Sequence, residues 1–321
     1  ACAALDLGPG DCLWTSPITF VASANCGRYC GAQVDFVDIA PDTFNMCPAA
    51  LERKLAEAEK DGTLPKVLVP VHMCGQSPDM VRISELARRY DIRVVEDASH
   101  AIGAEYQNRP VGDCRYSDVT VFSFHPVKII TTGEGGLALT NDDEIANRMA
   151  ELRTHGITRD PARMSREPDG PWYYEQRELG WNYRMTEMQA ALGVSQLLRL
   201  DTFVARRREL AERYDQLLEG VPLRMPGRFK DCRSSWHLYV VRLHRPEQHR
   251  TLFGQLREAE IGVNLHYIPV HLQPFYQKLG FKPGDFPNAE DYYARAISLP
   301  LYPGLTKTMQ NAVVDTIKHK I

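Results

Sequence analysis

The 321-residue chain lacks an excess of basic charge, a long hydrophobic run and any paired cysteine motif. Lys and Arg total 38 against 41 for Asp and Glu, a formal net charge of -3 at pH 7, and this balance argues against nucleic acid as a partner. No apolar run could span a bilayer and no signal peptide is recognisable, so we expect no membrane attachment and a cytoplasmic location. The eight cysteines have no CxxC spacing, which predicts buried free thiols and no metal site or disulfide framework.

Short apolar segments alternate with amphipathic helical segments through the first half of the chain. The strand-like runs are 12–17, 34–39, 66–73, 93–99, 119–124 and 136–141. The helical segments are 49–60, 78–90 and 143–156. This alternation predicts an α/β domain with a mostly parallel sheet, which we place at residues 1–200.

The second half of the chain has a different pattern. A long helical segment begins at Thr186, which has capping-box spacing to Gln189, and continues to Gly220 with a break near Asp201. A strand at 238–243, a helix at 246–260, a strand at 261–267 and a tail rich in proline, glycine and aromatic residues follow. We therefore expect a bridging helix and a smaller α+β domain at residues 201–321.

A lone lysine, Lys128, follows the apolar strand that ends near Phe124. Ligands of open α/β sheets collect at the carboxyl ends of the strands, where this lysine is expected to lie. Its apolar neighbours Val127, Ile129 and Ile130 could desolvate the amine and lower its pKa, as a nucleophilic lysine requires. A surface lysine on a loop is the alternative that position alone leaves open.

Asp97 stands at the carboxyl end of another predicted strand and could point into the same crevice as Lys128. A lysine and an aspartate so placed suit pyridoxal phosphate. The lysine binds the carbonyl carbon of the cofactor, and the carboxylate keeps the pyridine nitrogen protonated so that the ring can act as an electron sink. The pair therefore predicts a pyridoxal 5'-phosphate site.

Three segments carry a resemblance to a known family: EDASHAIGAEY (96–106), SFHPVKIITTGEGG (123–136) and LGWNYRMTEMQAALGVSQL (179–197). They are similar to the DegT/DnrJ/EryC1/StrS family of sugar-nucleotide aminotransferases. The similarity runs in order over essentially the whole chain, including residues 11–25 and 264–276. The resemblance implies a pyridoxal-phosphate-dependent transaminase of fold type I, the architecture of aspartate aminotransferase, with the cofactor bound by the large domain.

The resemblance also implies roles for individual residues. Lys128 matches the lysine that binds the cofactor covalently and moves a proton between cofactor and substrate carbons, and Asp97 matches the partner of the pyridine nitrogen. Phe20 matches the aromatic residue that stacks on the cofactor ring, with a plain core phenylalanine as the alternative. His100 takes the position near the ring hydroxyl where the family has Gln or His, and Ser123 matches a phosphate-binding serine.

Asn182 matches an asparagine that reaches the cofactor phosphate from the neighbouring subunit. The resemblance thus implies a homodimer with a shared active site and an inactive monomer, while an ordinary turn residue is the alternative. The other phosphate loop of the family lies upstream of the segment that matches residues 1–5 and is not in this sequence. We expect several dozen residues to precede those given, and the chain as given to bind the cofactor poorly.

The resemblance implies a reaction in two halves. L-Glutamate gives its amino group to the cofactor, which passes it to the carbonyl carbon of a keto-sugar, with Lys128 as general acid and base. Residues 153–160, 171–176 and 266–276 resemble most closely the C4 aminotransferases of the pseudaminic acid pathway. The implied substrate is a UDP-linked 2-acetamido-2,6-dideoxy-4-keto-hexose. His266, Tyr267 and His271 are candidates for binding it, and a structural role is an equal alternative for each.

Three other interpretations are open at this stage. The chain could be another nucleotide-sugar C4 aminotransferase, of the perosamine or bacillosamine type. It could belong to the 3-dehydrase branch of the family, but there a histidine replaces the lysine, and Lys128 argues against that branch. It could also be a cofactor-binding regulator without turnover, which the presence of both Asp97 and Lys128 disfavours.

Overall fold

The computed structural model describes residues 1–321 and contains fourteen β-strands and ten α-helices. The strands are β1 (Cys12–Thr15), β2 (Gln33–Phe36), β3 (Val67–Val69), β4 (Arg93–Asp97), β5 (Glu105–Tyr106), β6 (Arg109–Pro110), β7 (Val119–Ser123), β8 (Gly136–Leu139), β9 (Ile157–Thr158), β10 (Glu175–Gln176), β11 (Leu223–Arg224), β12 (Cys232–Arg233), β13 (Tyr239–Leu243) and β14 (Ala296–Leu299). The helices are α1 (Ala22–Tyr29), α2 (Pro48–Asp61), α3 (Met80–Arg89), α4 (Asp143–Leu152), α5 (Glu187–Leu197), α6 (Leu200–Leu217), α7 (His249–Glu258), α8 (Pro274–Gln277), α9 (Pro287–Arg295) and α10 (Lys307–Lys320). None of them has the length and apolar composition needed to cross a membrane.

Six strands form the main sheet, in the order β2-β1-β3-β4-β7-β8. The first five run parallel to their neighbours, and β8 pairs with β7 in the antiparallel direction. The mostly parallel sheet predicted from the sequence is therefore confirmed. Parallel strands end at the same edge of a sheet, so the residues that follow Thr15, Asp97 and Ser123 come together there.

The helices of the first half pack through apolar stripes. On α2, Leu51, Leu55 and Ala58 recur at spacings of four and three residues and are all buried. This spacing places the three side chains on one face of the helix. They share a buried cluster with Leu68 of β3. Leu55 is completely buried, so its truncation to alanine is expected to cost about 2–5 kcal/mol of stability.

The C-terminal part of the chain builds a second, smaller sheet of three antiparallel strands in the order β11-β13-β14. Helices α6, α7 and α10 contribute to a cluster of buried side chains that extends from Leu210 to Ile317. This separate cluster supports our proposal that residues 201–321 form a small domain with α6 as its bridge. A third sheet, β12-β5-β6, joins the two parts, and Arg233 Nη1 lies 3.1 Å from Glu105 Oε1 there.

The long helical segment after Thr186 forms as predicted. The Thr186 hydroxyl accepts a hydrogen bond from the Gln189 backbone, and the Gln189 side chain accepts one from the Thr186 backbone, which completes the capping box. The segment then divides into α5 and α6 at residues 198–199, close to the break predicted near Asp201.

The prediction of a strand at residues 261–267 is wrong. Of these residues only Asn264 forms a bridge, to Ser298 of β14. The next residues have partners outside the sheet. The Tyr267 hydroxyl lies 3.1 Å from His100 Nε2, and the His266 backbone carbonyl accepts a hydrogen bond from the Tyr292 hydroxyl. Tertiary contacts thus override the strand propensity of this stretch.

Candidate active site

Lys128 lies in a tight loop that leaves the carboxyl end of β7. Its backbone N–H donates to the His125 carbonyl over 2.9 Å. Ile129 and Ile130 are 5% and 3% exposed and anchor the loop in the core, whereas Val127 is 64% exposed. Two of the three apolar neighbours expected from the sequence therefore surround the lysine. Burial lowers the pKa of the Lys128 amine, and the nearby Asp97 carboxylate opposes part of that shift.

Asp97 ends β4 on the strand next to β7, so its carboxylate reaches the same edge of the sheet as the Lys128 loop. Adjacent side chains of a strand point to opposite faces. Glu96 accordingly faces away, with its carboxylate 2.8 Å from His72 Nε2. The Asp97 carboxylate accepts hydrogen bonds from the Ser23 hydroxyl (2.5 Å) and the Ser99 backbone N–H (3.1 Å). Both of its oxygens are therefore oriented by the protein.

An exposed aromatic ring lies just before helix α1. The Phe20 side chain is 59% exposed, unlike a core phenylalanine. Its ring centroid is 6.1 Å from that of Tyr267, and the Tyr267 hydroxyl is 3.1 Å from His100 Nε2. Burial raises the pKa of the Tyr267 hydroxyl, which is therefore a neutral hydrogen-bonding group. Tyr267 thus contacts both of the other predicted residues, Phe20 and His100.

Three histidines lie close enough to Lys128 for its charge to act on them, with His100 and His237 buried and His266 partly buried. The His100 and His237 rings are tilted against each other with centroids 4.3 Å apart, and His266 Nδ1 lies 2.8 Å from the Ser298 hydroxyl. Burial, with a smaller contribution from the Lys128 charge, lowers the pKa of His266 to about 4. Burial lowers the pKa values of His100 and His237 well below the usual range, and repulsion from Lys128 adds to both shifts. All three imidazoles are therefore neutral at pH 7.

This cluster predicts loss of stability in mild acid. The unfolded chain binds protons on these histidines below about pH 6.5 while the folded chain does not, so the free energy of unfolding falls as the pH falls. For His266 alone we expect a loss of roughly 1 kcal/mol per pH unit below about pH 6. Urea unfolding at pH 7.0 and pH 5.5 measures it, and His266→Asn should reduce the difference. An unchanged difference in that variant would contradict the assignment.

Ser123 is the last residue of β7 and is partly exposed at the candidate site. The loop beyond it closes through backbone bonds, since the Phe124 N–H donates to the Gly135 carbonyl over 2.8 Å. Gly133 has φ +80°, a conformation that side chains disfavour, and a Cβ on Gly135 would collide with the Thr132 side chain. These glycines therefore serve the tight turn under the lysine.

Asn182 lies on an exposed segment away from the other predicted residues. Its backbone forms a bridge with Thr154, and its side chain is exposed. The flanking residues Trp181 and Tyr183 are 37% and 72% exposed, with their rings stacked 5.8 Å apart. Within a single chain the structure therefore does not bring Asn182 into contact with Lys128 or Asp97.

His271 has a different environment from the other predicted substrate residues. It is completely buried, its Nε2 lies 3.0 Å from the Glu290 carboxylate, and its ring packs edge-on against Phe286. These contacts account for the residue structurally, and we do not carry it into the proposed substrate site. His266 and Tyr267 lie beside the lysine and stay in that site.

Two residues of the site were not predicted from the sequence. Ser23 contacts Asp97, which lies 74 positions later in the sequence. No local sequence pattern reveals a contact between residues so far apart. The only available signal was its place three residues after Phe20. The His237 ring packs at a tilt against that of His100, which lies 137 positions earlier in the chain. Because His237 precedes an ordinary apolar strand, no sequence pattern pointed to it.

The donor set suits pyridoxal phosphate. A desolvated amine, a carboxylate whose two oxygens are already oriented, an exposed aromatic ring and a strand-end hydroxyl lie at or just after the carboxyl ends of β7, β4 and β1. These groups match a carbonyl carbon, a protonated ring nitrogen, a flat heterocycle and a phosphate, respectively. Lys128, Asp97, Phe20 and Ser123 are the residues that would hold the group.

Comparison with known proteins decides the family. The family model described as the DegT/DnrJ/EryC1/StrS aminotransferase family matches residues 1–318. The chain belongs to this family. Its members are pyridoxal-phosphate-dependent sugar aminotransferases, so the chain is a transaminase that uses pyridoxal phosphate, a nucleotide-linked keto-sugar and a glutamate-type amino donor. The fold type I architecture implied by the sequence is confirmed by structural neighbours from the same family.

Three relatives indicate how close the similarity is. An uncharacterized protein, MJ1066, from Methanocaldococcus jannaschii is 41% identical over 320 residues, which are 98% of this chain and 81% of that protein. The UDP-4-amino-4,6-dideoxy-N-acetyl-beta-L-altrosamine transaminase of Campylobacter jejuni serotype O:2 is 37% identical over 308 residues, covering 94% of this chain and 77% of the relative. The solved structure of Helicobacter pylori PseC, an aminotransferase involved in the biosynthesis of pseudoaminic acid, has a TM-score of 0.88 and 30% identity, covering 99% of this chain and 84% of that one.

Proposed function

We propose that this aminotransferase transfers the amino group of L-glutamate to C4 of a UDP-linked 2-acetamido-2,6-dideoxy-4-keto-hexose in pseudaminic acid biosynthesis. The observation that carries the amino-transfer chemistry is the meeting of Lys128 and Asp97 at the ends of adjacent strands β7 and β4. The substrate is proposed from the similarity to the Campylobacter altrosamine transaminase and to the Helicobacter enzyme.

Each residue of the site is proposed to have the role that its chemistry suits. When bound, pyridoxal phosphate supplies a carbonyl carbon for the amine and a ring that accepts electrons. Lys128 Nζ would hold the cofactor through that carbon and, once displaced by the amino donor, would move the proton at the substrate carbon, for which its lowered pKa is suited. The Asp97 carboxylate, which the Ser23 hydroxyl orients, would accept a hydrogen bond from the protonated pyridine nitrogen, and the exposed Phe20 ring would cover one face of the cofactor.

The remaining polar groups position ligands. The Ser123 hydroxyl is proposed to bind the cofactor phosphate, and His100 the ring hydroxyl. Neutral His100 can donate or accept through Nε2, which now lies 3.1 Å from the Tyr267 hydroxyl. The rings of His266 and Tyr267 pack edge-on against each other, and both residues are proposed to contact the sugar nucleotide. Neutral imidazoles and hydroxyls suit the hydroxyl groups of a sugar.

We also propose a homodimer in which Asn182 completes the site of the other subunit. Helix α5, which follows this residue, buries none of its own residues. Its apolar side chains are broadly exposed, with Met188 at 82%, Val194 at 64% and Leu197 at 54%. Soluble proteins rarely leave such a contiguous apolar surface uncovered. A second copy packed on α5 would cover it and bring Asn182 toward a neighbouring active site.

A subunit-mixing experiment tests the shared site. Lys128→Ala and Asn182→Ala should each be nearly inactive alone. A mixture dissociated and reassembled at equal amounts should recover about a quarter of wild-type activity, since half of the dimers are hybrids and each hybrid has one intact site. Separately folded variants that are mixed without exchange are the control. No recovery in verified hybrids would contradict the shared site.

The substrate proposal is tested with a panel of nucleotide sugars. The protein loaded with pyridoxal phosphate should show a change in visible absorbance on addition of L-glutamate, which a cofactor-binding regulator without turnover would not show. The UDP-linked keto-hexose of the L-arabino configuration should then be converted faster than keto-sugars of the perosamine or bacillosamine routes. Faster conversion of one of those would assign the chain to another C4 aminotransferase of the same chemistry.

A further inference from the structure

Two buried hydroxyl groups form a chain of hydrogen bonds that ends at the Asp97 carboxylate. The Ser23 hydroxyl donates to Asp97 Oδ2 over 2.5 Å, and Thr19 Oγ1 lies 2.6 Å from Ser23 Oγ. An ionised carboxylate can only accept hydrogen bonds, and serine has one hydroxyl proton. The donors are therefore ordered from Thr19 to Ser23 to Asp97. Thr19 and Ser23 are 2% and 4% exposed, so solvent has little access to these bonds.

The other carboxylate oxygen is held independently. The Ser99 backbone N–H donates to Asp97 Oδ1 over 3.1 Å. A carboxylate with a donor on each oxygen cannot rotate freely about its Cβ–Cγ bond, so its plane is fixed. Each carboxylate oxygen can accept more than one hydrogen bond. The Asp97 carboxylate can therefore also accept one from a ligand bound at the site.

The same short segment carries the exposed aromatic ring of the site. Ser23 N–H donates to the Phe20 carbonyl over 3.2 Å at the start of α1. Residues 19–23 thus present the Phe20 ring to the crevice and at the same time support a carboxylate 74 positions away in the sequence. The relative placement of ring and carboxylate depends on these hydroxyls.

We propose that Ser23, supported by Thr19, is a positioning residue for amino transfer that holds the Asp97 carboxylate in the orientation needed by the pyridine nitrogen of the cofactor. This inference rests on the role proposed above for Asp97. Neither hydroxyl touches the reacting atoms, and both act through the carboxylate. If they served only to satisfy one another in the core, their removal would change stability and nothing else.

The test compares variants that remove or keep these hydroxyls in the holoenzyme. Ser23→Ala should lower kcat by about tenfold to a hundredfold, the effect of losing a hydrogen bond to a charged group, with little change in KM for L-glutamate. Thr19→Val should give a smaller loss, and Ser23→Thr should recover most of the activity. The pH titration of the visible absorbance, recorded without substrate, should shift in Ser23→Ala and Thr19→Val.

A matched control comes from Thr15, whose buried hydroxyl donates to the Val69 carbonyl over 2.8 Å and does not contact Asp97. Thr15→Val should lower the melting temperature and leave kcat and the absorbance titration unchanged. If Ser23→Ala does not fold, the test is made with Thr19→Val. That variant is the milder change, because it removes the donor to Ser23 and leaves the Ser23 bond to Asp97 in place.

The outcomes separate this inference from the proposed function. Asp97→Asn is measured in parallel. If it loses activity while folded Ser23→Ala and Thr19→Val keep wild-type kcat and titration, the positioning role is overturned and the role of Asp97 stands. If Asp97→Asn is itself fully active, the failure belongs to the proposed function, and the inference falls with it.

Discussion

Lys128→Ala is expected to reduce amino transfer from L-glutamate by about 10³-fold or more. The change removes the amine that binds the cofactor and also the general acid and base, and proton transfer alone contributes about 10²- to 10⁴-fold. The amine is partly buried and lies near the Asp97 carboxylate. The measurement is the rate of 2-oxoglutarate formation in the presence of a keto-sugar acceptor.

Lys66→Ala is the matched control for this variant. Lys66 lies at the amino ends of the strands, where its Nζ is 2.9 Å from Asp11 Oδ2, far along the chain from the candidate site. It should retain wild-type rates. A folded Lys128→Ala protein with more than a tenth of wild-type activity would remove the lysine from the mechanism.

Asp97→Asn is expected to lower kcat by about 10²-fold while KM for L-glutamate changes much less. The variant keeps the shape of the side chain and removes the charge that would pair with the protonated pyridine nitrogen. Loss of one partner from a buried ion pair costs about 3–5 kcal/mol, which corresponds to at least a hundredfold. Steady-state kinetics and the visible spectrum of the loaded protein measure the effect.

The control for this variant is Asp11→Asn, which removes an aspartate that pairs with Lys66 at the opposite end of the sheet. It should leave both kcat and the spectrum unchanged. If Asp97→Asn and Asp11→Asn were equally active, the assignment of Asp97 to the ring nitrogen would be untenable.

The main sheet was predictable because most of its strands are buried and several are separated by amphipathic helices. β4 and β7 begin and end within two residues of the predicted runs 93–99 and 119–124. The prediction failed at 261–267, where strand-like residues form one bridge and otherwise contact His100, Tyr292 and Ser298. Local propensity carries no information about such distant partners.

The candidate site shows the same limit. Lys128 and Asp97 could be selected because parallel strands bring their carboxyl ends to one edge, a rule that sequence alone can apply. Ser23 could not be selected, because its contact with Asp97 depends on how α1 packs against the end of β4. His271 was a candidate because it is a polar residue just after the predicted strand 261–267, although the fold buries it against Glu290.

The most direct test of the proposed function is the stoichiometry of a single reaction. The full-length protein loaded with pyridoxal phosphate is incubated with L-glutamate and the UDP-linked 2-acetamido-2,6-dideoxy-4-keto-hexose, and both products are quantified by NMR. The account predicts equal amounts of 2-oxoglutarate and a sugar nucleotide with its new amino group at C4. Glutamate that is not consumed, or an amino group at another carbon, would contradict it.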